Sequence, residues 1–137
     1  ADRPFSVGGW GYTGGIPWGT GAAIANTADD PLYQVVRYWT SSAMSGYRFT
    51  VPNGRYEVTL KFAEVYWPAA GQRRFDVRIE GVAVLSGYDI FADAGGQYLA
   101  VDKVFNVTVG DRELTIDFVQ ILGYDNPMVN AIQIVRQ

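Results

Sequence analysis

The 137-residue chain contains no cysteine and no histidine. Without cysteine there is no disulfide, no thiolate nucleophile and no zinc–cysteine site, and sulfur says nothing of the redox compartment. Without histidine, Ser-His-Asp triads, Cys-His dyads and most transition-metal sites are excluded. Any catalysis would have to run on carboxylates, Lys, Tyr or a borrowed metal. The net charge is only −3, with both signs scattered and no basic block to neutralise phosphates, which argues against nucleic acid as a partner. No apolar run approaches the length needed to cross a bilayer, so no membrane partner is expected. Helix signals are equally thin, since no stretch of ten or more residues carries a capped 3.6-residue period. The chain opens at Ala1 without a charged n-region or an apolar h-region, which reads as a mature or excised piece whose export signal lies outside it.

What is present describes one soluble globular domain over residues 1–137, with 48% hydrophobic and 18% charged residues. A chain of this size buries enough surface for one sizeable core without staples. Alternation at period two dominates from about residue 47. Phe75, Val77 and Ile79 oppose Asp76, Arg78 and Glu80; Tyr56, Val58, Leu60 and Phe62 oppose Glu57, Thr59 and Lys61; Leu114, Ile116 and Phe118 oppose Thr115 and Asp117. Val101, Phe105, Val107 and Val109 nearly repeat the pattern, and Ile132 and Ile134 suggest a closing strand. Pro52-Asn53-Gly54 is the strongest short hairpin signal, and Gly81 and Gly110-Asp111 break the other runs. Short strands with one apolar face must bury it against a second sheet, so the expected fold is all-β, an antiparallel two-sheet β-sandwich. Residues 1–31 differ: six of the sixteen glycines fall between Gly8 and Gly19, together with Trp10, Tyr12 and Trp18. This segment is expected to be an ordered loop folded over one end of the sandwich.

Three constellations could carry chemistry. Aromatics make up 15% of the chain. Phe62, Phe75, Phe105 and Phe118 lie on inward positions and belong to the core. Trp10, Tyr12, Trp18, Tyr66, Trp67 and Tyr124 instead fall in segments rich in Gly and Pro. Flat rings suit the apolar face of a pyranose, while Asp and Asn bond its hydroxyls; the same rings could simply plug the open ends of the sandwich. Asp29-Asp30, Asp89, Asp93, Asp102 and Asp125 lie in or near turns, where they could ligate a structural Ca²⁺ or merely form the turns. No other cofactor is called for. Glu64, set beside the aromatic pair, could act in a glycosidase pair, bond a sugar hydroxyl or pair with an Arg. Asn106-Val107-Thr108 fits the glycosylation sequon but lies within an expected strand and is assigned no role.

Phe62-Ala63-Glu64-Val65-Tyr66-Trp67, followed by Gly71-Gln72-Arg73-Arg74-Phe75-Asp76-Val77, resembles a malectin-type domain, a group placed with carbohydrate-binding module family 57. The resemblance extends through Leu32-Tyr33-Gln34, Arg37-Tyr38, Asp89-Ile90-Phe91-Ala92 and Tyr124-Asp125-Asn126-Pro127. It implies a jelly-roll-like sandwich that binds oligosaccharide, often glucose-containing, at loops on one end. It also implies an accessory module appended to a polysaccharide-degrading enzyme. Residue by residue, the family's aromatic pair matches Tyr66 and Trp67, its turn Asp matches Asp125, and a tyrosine of its early glycine-rich segment matches Tyr12. A further family tyrosine, upstream of Leu-Tyr-Gln, has no clear match, and Trp18 stands in that region.

The expectation is therefore a non-catalytic, secreted, monomeric carbohydrate-binding module tethered to a catalytic domain. Its contacts would be Tyr12, Trp18, Tyr66, Trp67 and Asp125, with Glu64 and Tyr124 as additional polar contacts. The rival is a structural or protein-interaction sandwich whose end-loop aromatics pack inward. An enzyme depending on Glu64 stands third.

Overall fold

In the computed structural model, residues 2–41, 43 and 45–137 are described. Eleven strands and two short helices follow in the order β1 (Trp10–Thr13), β2 (Ile16–Gly19), α1 (Asp30–Tyr33), β3 (Val35–Tyr38), β4 (Gly46–Thr50), β5 (Gly54–Phe62), β6 (Phe75–Ile79), β7 (Val82–Tyr88), α2 (Ile90–Ala94), β8 (Val101–Val109), β9 (Glu113–Gln120), β10 (Met128–Val129) and β11 (Ala131–Arg136). One sheet has the order β1-β4-β9-β6-β7. The other layer consists of two three-stranded pieces, β10-β3-β2 and β11-β5-β8. Asn130 links them, because it is the single residue between β10 and β11. Its backbone N–H donates to the Lys61 carbonyl (3.0 Å). Its side chain accepts from Ala63 N–H and donates to the Tyr33 carbonyl, both at 2.8 Å.

All named strand pairs are antiparallel, and the alternating faces meet as expected. Val58, Leu60 and Phe62 of β5 are fully buried, as are Phe75 and Val77 of β6 and Leu114, Ile116 and Phe118 of β9. Rings cross between the layers, with Phe62 against Phe75 at 6.0 Å and Trp39 stacked on Phe118 at 4.8 Å. Each such buried side chain contributes about 1.5–3 kcal/mol relative to exposure. Phe105 is only half-buried because β8 is the outer strand of its sheet.

One turn expectation needs correction. Pro52-Asn53-Gly54 is not a hairpin: β4 pairs with β1 and β9, whereas β5 pairs with β8 and β11. The segment carries the chain from one sheet to the other. Asn53 spans the gap by accepting from Arg112 N–H at 2.8 Å and, through its carbonyl, from Arg136 at 3.2 Å. Gly110-Asp111 likewise joins strands of different sheets. The true two-residue hairpin is Glu80-Gly81 between β6 and β7, with φ of 54° and 77°. Positive φ at both positions is what the right-handed twist of a type I′ turn demands.

The glycine-rich segment is also not simply a loop. It contains β1, on the edge of the first sheet, and β2, on the edge of the second, and it crosses between them at Gly14-Gly15. Its aromatic residues are therefore held at strand registers, Trp10 opposite Phe49, Tyr12 opposite Tyr47 and Trp18 opposite Val36.

Candidate functional site

At one end of the second layer, a cavity of about 320 Å³ is lined by Trp18, Val36, Tyr38, Val65, Tyr66, Trp67, Arg73, Asp125, Asn126 and Met128. Its back wall comes from adjacent strands. Trp18 pairs with Val36 and Met128 with Tyr38, so period-two alternation turns all four side chains to one face. Its other wall is the segment after β5. There Tyr66 and Trp67 stand edge-to-face (5.0 Å, 85°), and Trp18 meets Tyr66 edge-to-face from across the cavity (6.1 Å, 78°). Tyr66 is 57% exposed and Trp18 43% exposed, so these rings present surface to solvent rather than plugging the core.

Asp125 enters from the turn before β10. Its Oδ2 accepts the Trp67 indole N–H at 2.7 Å, and its Oδ1 accepts Asn126 N–H at 2.7 Å. A carboxylate offers about four lone-pair positions, and this side chain is 30% exposed, so it can accept further donors. Among the described residues, Tyr38 and Tyr66 also line the cavity, and neither hydroxyl is bonded to another protein group.

Of the residues singled out from sequence, the fold thus brings Trp18, Tyr66, Trp67 and Asp125 together. Three others lie elsewhere. Tyr12 belongs to β1 in the opposite sheet, half-buried beneath the Arg37 guanidinium (3.4 Å to the ring centre). Tyr124 lies outside the cavity with Arg74 over its ring at 5.7 Å. Glu64 is 1% exposed and bound to Arg73, Nε to Oε1 at 2.8 Å, so it cannot touch a ligand in the cavity. Sequence reasoning missed Tyr38, Val36, Arg73, Asn126 and Met128. Arg37-Tyr38 stood among the matching blocks, but only the strand register shows which of the two faces the cavity.

The acidic turn residues are mostly occupied by protein donors. Asp30 accepts Ile24 N–H at 3.2 Å, and Asp89 caps α2 through Ala92 N–H at 3.1 Å. Asp93 binds the Tyr88 hydroxyl (2.8 Å) and Lys103 (3.1 Å). Asp102 binds Tyr33 and, at 2.7 Å, Lys61. Among the described residues no group of three acidic side chains is placed to hold a metal.

A larger cleft of about 810 Å³ opens between the layers, with Trp10, Tyr47 and Phe49 on one wall and Val35 and Ile132 on the other. Its Arg37, Asp2 and Tyr47 side chains are already engaged with one another and with backbone. Arg37 donates to Asp2 (2.8 Å) and to the Gly14 and Gly15 carbonyls (3.2 and 2.9 Å), and Tyr47 donates to Asp2 (2.7 Å). Burial alone would raise the Asp2 carboxyl. The hydrogen bonds from Arg37 and Tyr47 and the Arg37 charge outweigh it and hold the group below its ordinary value. Trp10 is stacked on Phe49 and lies under Arg3 at 4.7 Å. The smaller cavity, with its exposed rings and the partly exposed Asp125 carboxylate, is the stronger candidate site despite its size.

Comparison with known proteins agrees with the fold. The model of the Malectin domain family matches residues 19–132. Malectin-B of Xenopus laevis is 33% identical over 126 residues, covering 82% of this chain and 44% of that protein. A probable LRR receptor-like serine/threonine-protein kinase of Arabidopsis thaliana is 30% identical over 127 residues, covering 80% of this chain and 12% of that protein. The chain thus spans less than half the length of these relatives. Among solved structures, a β-glucuronidase of Bacteroides uniformis superposes with a TM-score of 0.85 at 29% identity, over 99% of this chain and 15% of that one.

Proposed function

The chain belongs to the malectin domain family, and from that premise we propose that it is a non-catalytic carbohydrate-binding module. The observation that carries this reading is the convergence of Trp18, Tyr66, Trp67 and Asp125 on one cavity of about 320 Å³. Exposed rings offer apolar faces to the C–H surface of a sugar ring, and Asp125 with the Tyr38 and Tyr66 hydroxyls bonds its hydroxyl rim. The cavity is at the small end of ligand sites, which suits a short stretch of oligo- or polysaccharide, glucose-containing chains among them. Covering ~100 Å² of ring contributes ~2.5 kcal/mol. Two such contacts, less the cost of immobilising the ligand, give a Kd of roughly 10 μM to 1 mM.

Hydrolysis is disfavoured by the same geometry. A glycosidase needs two facing carboxylates, whereas Asp125 is the one carboxylate among the described cavity residues. Weak affinity suits a module tethered to a larger secreted protein, where attachment supplies the effective concentration. The likeness to one part of a β-glucuronidase is consistent with an accessory role beside a polysaccharide-degrading enzyme.

Calorimetry and tryptophan fluorescence against a panel of glucans, xylans and mannans test the proposal. Saturable binding that Trp67→Ala abolishes while the fold stays intact is the expected result. Silence across the panel would discard it in favour of a protein-interaction module. That second reading draws on the cleft of about 810 Å³ between the layers and on the receptor-kinase relative.

A further inference from the structure

Resting on the carbohydrate reading, we propose that the buried Arg73–Glu64 pair is the positioning element of the site. It holds the loop bearing the stacking rings and the turn bearing Asp125 in mutual register before any ligand arrives. Glu64 is 1% and Arg73 5% exposed. A pair this deeply buried is poor evidence of a stabilising role by itself, because well-packed apolar residues often serve stability as well. What apolar residues could not supply are the pair's other bonds.

Glu64 Oε2 lies 3.3 Å from Tyr66 N–H and 3.4 Å from Trp67 N–H, so the carboxylate gathers the backbone beneath both rings. Arg73 Nη1 donates to the Asn126 carbonyl at 2.5 Å, and Nη2 stands 3.5 Å from Asp125 Oδ2. Asp125 N–H in turn donates to the Gln72 carbonyl at 3.0 Å. The circuit closes through the Trp67 indole N–H on Asp125. One planar fork therefore reaches two loops that are 58 residues apart in sequence. A lysine ammonium could keep the Glu64 charge pairing but has no rigid fork to span Glu64 and Asn126 together.

The test compares Arg73→Lys and Glu64→Gln with the unaltered chain, each ¹⁵N-labelled and confirmed as folded. The Trp67 indole resonance, identified among the four tryptophans by its loss in Trp67→Phe, reports hydrogen exchange at the bond to Asp125. Calorimetry with the panel sugar that binds best reports affinity. Exchange at the Trp67 indole that is roughly tenfold faster or more, with affinity weaker by a similar factor, is the expected result. Unchanged exchange and affinity in both variants, with Trp67→Ala still abolishing binding, would overturn the positioning role and leave the carbohydrate reading intact. Affinity loss without a change at the indole would also overturn it. A loosened indole in a chain whose unaltered form binds no sugar would uphold the positioning role and remove the carbohydrate reading. Should Arg73→Lys fail to fold, Glu64→Gln answers alone, since glutamine still accepts from the backbone but releases Arg73.

Discussion

Single side chains here take their roles from what surrounds them rather than from their type. Glu64 and Asp125 are both acids near aromatics, yet one is buried against Arg73 and the other opens to the cavity. Asp2 shows how far this goes: an acid near the chain start binds the buried Arg37 and the Tyr47 hydroxyl. Asp2→Asn should destabilise the domain by about 1–2 kcal/mol, less than a fully buried pair because the carboxylate is one-third exposed. The Asp2 carboxyl is held below its ordinary value when folded. Its stabilising effect is therefore present above the unfolded pKa and is lost as pH falls through the folded one. Thermal melts of the two proteins should differ at pH 7 and converge on acidification below about pH 4; a gap that persists at low pH would contradict this. The aromatic pair and Asp125 were legible from sequence because local motif and turn chemistry mark them. Tyr12 was misplaced because nothing local reveals which sheet its strand joins.

Among elements, the strands were readable and their partners were not. Period-two runs announce β5, β6, β8, β9 and β11, since each buries one face. The Asn-Gly turn suggested a hairpin because turn propensity is local, while the pairing of β5 with β8 and β11 is set by distant segments. Two glycines separate close approach from backbone conformation. A Cβ on Gly46 would sit 1.8 Å from the Ile116 carbonyl oxygen, where β4 meets β9. Gly46→Ala should cost about 3 kcal/mol or more, as that pairing must part. A Cβ on Gly81 meets nothing within 4 Å, but its φ of +77° is strained for any L side chain. Gly81→Ala should cost only about 1 kcal/mol. Denaturant melts should rank them in that order, and equal losses would mean the two sites are limited by the same effect.

For the whole molecule, two layers close around a single core of crossing rings, and the cavity sits where the second layer's edge strand meets the loop after β5. Because no three acidic side chains among the described residues are grouped to hold a metal, EDTA should leave the melting temperature unchanged; a fall of several degrees would reveal a structural cation. Composition, alternation and the missing cysteine and histidine were enough to determine an all-β domain without thiol, imidazole or zinc–cysteine chemistry, because burial of one strand face and the side-chain inventory are local properties. Only the tertiary structure decided that Trp18, on an edge strand, faces Tyr66 and that Tyr38 shares their cavity. It alone decided that Arg73 binds the buried Glu64 and the Asn126 carbonyl, and that Trp67 donates to Asp125. Those facts depend on which strands pair and in which register, and a shift of one residue would turn each side chain to the opposite face.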